Sequence, residues 1–320
     1  MRQLVKLALF PIALVAVLAA YFLMSEHFLE TTAAQLTSLH EPFEPPAFSG
    51  PDAAPLILRA ATAVGIEAPR WDPLMAGSSA SEETMPLLSE IESFSLPLLR
   101  QAAGIKNCSP IIDDGFETNA AQRLIILQLN RLIAAIGFYG RAGLVSQRAE
   151  AASMLLDVSD LLQPIHLAPV LKLRCRAVRL SAELLPPHSS NALRERFALL
   201  GIDLAESWGN FVASERRKAI APLLAPGQRS ETGFLRAWFD DYFRRKQATS
   251  LDLFYGDAFH RAQEFAQTAI QSCKGVVSPN DHPSPMRFDN IRIRFSPLYN
   301  ELADTVFGTV VLCCRIPPEE

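Results

Sequence analysis

The stretch ETNAAQRLIILQLNRLIAAIGFYGRAG, Glu117 to Gly143, wraps apolar residues around most of a helical circumference. It confines polarity to a thin stripe through Asn119, Gln122, Arg123, Asn130 and Arg131. A helix patterned in this way must be largely enclosed by others. Outward from it, apolar spacing stays helical from Ala53 to about Leu224. Upstream, PDAAPLILRAATAVGI (51–66) repeats Leu56, Leu58, Ala61 and Val64 behind an Asp52 that can cap the helix ahead of Pro55. The run SASEETMPLLSEIESFSLPLLRQAAG (79–104) has Ser79 and Glu82 at capping-box spacing, a break expected before Pro97, and Gly104 as its stop.

Downstream, helical segments at 146–164, 168–187 and 191–224 are punctuated by Pro164, Pro186-Pro187 and Pro226-Gly227. Connections this short make neighbouring helices pack as antiparallel hairpins. Residues 131–164 place small and aromatic side chains on a first helix (Ala135, Gly137, Tyr139), a turn glycine at Gly143, Glu150-Ala151-Ala152 early in a second helix, and Pro164 at its end. This segment resembles a tetratricopeptide-type helical hairpin, although the family's Gly-x-x-Tyr step is missed because only Phe138 separates Gly137 from Tyr139. The resemblance implies stacked helical hairpins.

The last third is aromatic. In FLRAWFDDYFRRK (234–246), Phe234, Trp238 and Tyr242 recur every four residues and Leu235 with Phe239 widens the same face. That face is expected in the core, with the arginines turned to water or to Asp240 and Asp241. IRIRF (291–295) alternates as a strand, and TVFGTVVLCCRI (305–316) could be its partner in a short β-hairpin, although Ser296 ahead of Pro297 could instead cap a short helix between them; helix is slightly favoured and the hairpin stays open.

The N-terminus reads differently. Leu7 to Met24 holds eighteen residues without a charged side chain, enough for a helix of about 27 Å against a hydrocarbon core of roughly 30 Å. Val17-Leu18-Ala19 or Leu18-Ala19-Ala20 offers a cleavage site, but Tyr21, Phe22, Leu23 and Met24 continue the apolar run, which favours a retained signal-anchor over a cleaved signal. Arg2 and Lys6 precede it while Glu26 and Glu30 follow, so the N-terminus is expected inside. Five prolines between Glu41 and Pro55 form a semi-rigid spacer that carries the following domain clear of the headgroups. The expected organisation is a cytoplasmic N-terminus (1–6), a transmembrane segment (7–24), a stalk and linker (25–52), a helical-hairpin domain (53–228) and an aromatic-rich helical region packed on it (229–320). The fold class is mainly α, with one short C-terminal β-hairpin as an open variant. The expected location is a bacterial inner membrane, single-pass, with the main domain in the periplasm.

Net charge is −4, with 20% charged and 49% apolar residues, so neither disorder nor nucleic acid as a partner is expected. Five cysteines form no CxxC pair, which argues against zinc ribbons and thioredoxin-like sites. An oxidising compartment would permit one or two disulfides and leave a thiol over. Adjacent Cys313 and Cys314, beside Val310, Val311 and Leu312, read as small core side chains. Lys172, Arg174, Arg176 and Arg179 spread around their helix, which implies solvation.

The sharpest constellation is Asp257, His260 and Glu264, at i, i+3 and i+7 on one helix face, where two carboxylates could tune an imidazole or hold a metal. A solvated helix face explains the same residues. Asp281-His282 in the loop 280–283 and Asp113-Asp114-Gly115 read as turns. No nucleophile elbow, phosphate loop or dinucleotide fingerprint occurs. No cofactor or metal is expected. The reading that results is a membrane-anchored, extracytoplasmic protein-interaction scaffold offering a helical groove to a protein partner. The alternative is an anchored metal-assisted or acid/base hydrolase using His260 with Asp257 or Glu264. A structural envelope component is a third class.

Overall fold

The computed structural model describes residues 17, 20, 21, 23, 24, 50–65, 89–105, 108–109, 120–143, 145–163, 165, 167–185, 191–224, 234–274 and 296–316. Among these every regular element is helical: α1 Ala54–Gly65, a π-turn Ile91–Ser95 running into α2 Leu96–Ala103, α3 Ala120–Ala142, α4 Val145–Leu161, α5 Ala168–Leu184, α6 Asn191–Leu224, α7 Phe234–Cys273 and α8 Ser296–Cys314. Residues 305–314, for which the sequence left a hairpin strand open beside a helix, belong to α8. The helix begins at Ser296-Pro297, where a proline in the first turn sacrifices no hydrogen bond. IRIRF, the capping-box pair Ser79 and Glu82, and the turns at 113–115 and 280–283 lie outside the described residues.

The chain forms two compact units, one of Met1–Pro45 and Ala213–Asp257, the other of Pro46–Val212 and Ala258–Glu320. In the second unit, α3, α4 and α5 pack on one another pairwise, α1 lies on α3, and α8 lies on α5. Enclosure of α3 is complete only from Leu129 to Gly140, where all but half-buried Asn130 are buried. Its first turns depart from expectation: Gln122 is buried whereas Leu124 is 53% exposed. Close approach explains the small residues of α3. A Cβ at Gly140 would stand 2.6 Å from a Leu184 methyl and 2.8 Å from the Ala151 Cβ, so the meeting of α3, α4 and α5 there requires glycine.

Asp52 does cap α1, accepting the Ala54 N–H at 3.0 Å, and it also accepts from the backbone and hydroxyl of Ser109. The buried face of α1 is rotated from the expected one. Ile57, Ala60, Ala61 and Val64 are buried at the regular i, i+3, i+4, i+7 spacing, while Leu56 and Leu58 are half-buried at its edges. Before α2 the chain does not stop at Pro97 but winds through the π-turn. A proline has no N–H to return to the carbonyl four residues earlier, and a wider turn absorbs the gap.

In the first unit, the end of α6 and the start of α7 form a hairpin. Arg216 donates to Asp252 at 2.7 and 2.5 Å, and Ile220 and Ala248 are buried together with Leu223 and Leu251 against them. Tyr242 is buried as expected, but Phe239 on the anticipated core face is 43% exposed. Phe234, Leu235 and Trp238 have side chains outside the described residues. Most of Leu7–Met24 also lies outside them. Within it Val17, Ala20, Tyr21, Leu23 and Met24 are helical and exposed. Among the described residues no helix is long and apolar enough to cross a membrane.

Candidate functional site

His260 sits on α7 with its side chain 71% exposed, and its Nε2 lies 3.3 Å from Glu264 Oε1. Asp257 belongs to the same helix, but its side chain lies outside the described residues. Exposed pairs of this kind are held weakly by surface electrostatics. Among the described residues no group of three or more His, Cys, Asp or Glu side chains is arranged to hold a metal ion.

The polar centre of the larger unit is α5, whose basic residues were expected in water. Arg174 is 1% exposed. Its Nε donates to the Ser159 carbonyl on α4 at 2.9 Å, its Nη1 to the Ser207 hydroxyl on α6 at 2.7 Å, and its Nη2 to Asp203 Oδ2. Asp203 Oδ1 in turn accepts from Gln163 at 2.8 Å. The other three basic residues each reach a neighbour. Arg176 donates to Asn130 of α3, Lys172 to Glu301 of α8 at 2.9 Å, and Arg179 to the Thr309 hydroxyl and the Thr305 carbonyl of α8 at 2.9 and 2.8 Å. Spread around the circumference of α5, these side chains face packed helices on several sides, which is why the spacing misled. Burial of Arg174 is tolerated because each of its three guanidinium nitrogens meets an acceptor.

A second arginine extends this network. Arg196 Nη2 lies 2.6 Å from both Asp157 and Asp160. Burial raises the Asp160 carboxyl above its ordinary range, with the Arg196 hydrogen bond opposing it. All three nitrogens of Arg174 are engaged by protein groups, so this centre positions helices; it does not present a reactive atom. The detectable signals were the polar pairs Asp157/Asp160 and Asp203/Ser207, at i, i+3 and i, i+4 on helices whose neighbouring positions are apolar.

The cysteines also resolve differently from expectation. Cys314 is joined to Cys273 by a disulfide, while Cys313 is a buried core thiol as expected. Gly201 of α6 makes room: a Cβ there would lie 3.1 Å from Cys273 Sγ and 2.9 Å from Cys313 Cβ. Cys108, Cys175 and Cys313 are free and buried. Burial pushes the Cys108 thiol up to about 12, with the charge of Asp52 adding to it, and the Cys175 thiol up to about 11. Thiols held protonated in this way are poor nucleophiles.

No protein-family model, curated protein or solved structure matches the chain.

Proposed function

We propose that the chain is a single-pass membrane protein with a cytoplasmic N-terminus, whose residues 7–24 are retained as an anchor and whose residues 25–52 act as stalk and spacer. The helical unit stands on the outer side, in a bacterium the periplasmic face of the inner membrane, as a protein-interaction scaffold of stacked antiparallel hairpins. One observation carries the placement: the Cys273–Cys314 disulfide, which joins two helices across a separation of 41 residues. Structural disulfides belong to oxidising compartments. The uncharged leader with basic residues only before it supplies the route there.

The scaffold role is supported by exposed apolar side chains on the packed array. Phe94 and Val145 are 64% and 67% exposed, and each lies two residues from one partner of the 3.3 Å Gln147–Glu92 hydrogen bond. Large apolar side chains left in water on a rigid helical frame suit a protein contact. The test places a photo-crosslinking residue at Phe94 or Val145 in living cells. A discrete protein adduct at these sites, and none at exposed Glu183, is expected. Equal labelling at all three, or none at any, would count against the scaffold role. The enzymatic alternative draws no support from a His260 that stands 71% exposed.

A further inference from the structure

We propose that the tip of the α6–α7 hairpin is a lipid-contacting foot, seated on the bilayer interface through Phe239 and Phe243. The inference rests on the anchored reading above. The pairs Arg216 with Asp252 and Ile220 with Ala248 fix the antiparallel register of the hairpin. Carried four residues further, that register sets Leu224, the last residue of α6, opposite Arg244. The α7 residues 234–243 therefore run beyond the end of α6, an overhang of about 15 Å at the helical rise.

That overhang carries exposed aromatic side chains. Phe243 is 57% exposed and Phe239 43% exposed, one helical turn apart on the same face. Tyr242 beside them is buried and holds Phe243 edge-on at 5.6 Å. Arg244, Arg245 and exposed Lys246 follow at once, with Asp241 paired to both arginines at 3.7 and 2.5 Å. An apolar face bordered by basic residues is the pattern of a segment that lies in a headgroup layer, its rings about 5–10 Å deep and its long basic side chains reaching outward.

Two further observations select lipid over protein as the occupant. The hairpin belongs to the same compact unit as Met1–Pro45, which contains the uncharged leader, and not to the unit into which the spacer leads. The leader's described residues Val17, Tyr21, Leu23 and Met24 are likewise 60% or more exposed. Charge agrees: residues 213–257 hold eight Lys and Arg against six Asp and Glu, in a chain of net charge −4. A local positive excess suits anionic headgroups.

The experiment uses the full chain reconstituted in vesicles of phosphatidylethanolamine and phosphatidylglycerol. A nitroxide is placed at Phe243→Cys, at Phe239→Cys and, as a reference, at Leu199→Cys, which is 67% exposed in the other unit. The unsubstituted chain, whose free thiols are buried, reports background labelling. The proposal predicts that labels at 243 and 239 collide with oxygen more and with a water-soluble nickel chelate less than the label at 199. Equal nickel access at 243 and 199 overturns it. So does a label shielded from both reagents, which would report a protein contact. Carbonate extraction of the unsubstituted chain reads the anchor separately. A chain that stays with the vesicles while label 243 is aqueous defeats the foot alone, whereas a chain that washes off defeats the anchor and the foot together.

Discussion

At the scale of single residues, Arg174 decides most. Its guanidinium is 1% exposed and bonded to three acceptors on two helices, Ser159 of α4 and Asp203 and Ser207 of α6. Such a side chain stabilises little relative to an apolar one of the same shape, because desolvation offsets attraction, but removing it strands Asp203 and the Ser159 carbonyl. Arg174→Ala is expected to destabilise the helical unit by about 3–5 kcal/mol in denaturant unfolding of the detergent-solubilised protein. A loss below about 1 kcal/mol would mean the network is slack. Asp52 offers a second test, through pH. Burial works against its ionisation, but the hydrogen bonds from Ser109 and Ala54 outweigh that and hold its carboxyl below the ordinary 3.8. A depressed folded value means that its contribution is present above the unfolded value and lost as pH falls through the folded one. Stability measured against pH from 6 downward should therefore fall less steeply in the region below about 4 for Asp52→Asn than for the parent chain.

At the scale of elements, the helices were legible because each carries its own period and several carry a start or stop signal. Asp52 before α1, Gly104 after α2 and Ser296-Pro297 before α8 all mark ends found in the fold. What one element's sequence could not show was which of its faces meets a neighbour. Arg174 looked solvated because nothing local indicates that Asp203 and Ser207, 29 and 33 positions away, supply its acceptors. Cys314 read as a core residue for the same reason, its partner Cys273 being distant in sequence. Glycines separate the two kinds of information. Gly140→Ala forces a Cβ into Leu184 and Ala151 and should cost about 1–3 kcal/mol. Gly209→Ala, at a helical position with nothing within 4 Å, should instead stabilise by about 0.4–1 kcal/mol. Thermal unfolding of the two variants in parallel checks the opposite signs, and a neutral Gly140→Ala would contradict the close packing of α3, α4 and α5.

At the scale of the whole molecule, two features of different origin point the same way. The leader is a property of sequence alone: uncharged, long enough to span, with its basic residues before it. The Cys273–Cys314 bridge is a property of the fold, and the chain-entropy argument gives a closed loop of its size about 4 kcal/mol of stabilisation. A reducing compartment would forfeit that contribution, so the uncharged leader and the Cys273–Cys314 pair both support the proposed location. Of the candidate site, the sequence made Asp257, His260 and Glu264 visible; His260 and Glu264 lie exposed on α7, and the Asp257 side chain lies outside the described residues. The buried arginine network and the aromatic tip of the hairpin emerge only when helices distant in the chain are brought together. The measurement that bears most directly on this account is protease access from one side. With an N-terminal epitope on the full chain in a bacterial host, protease added to intact spheroplasts should degrade the helical unit and leave a short, membrane-bound, epitope-bearing fragment. A full-length chain that resists until detergent opens the membrane would contradict it.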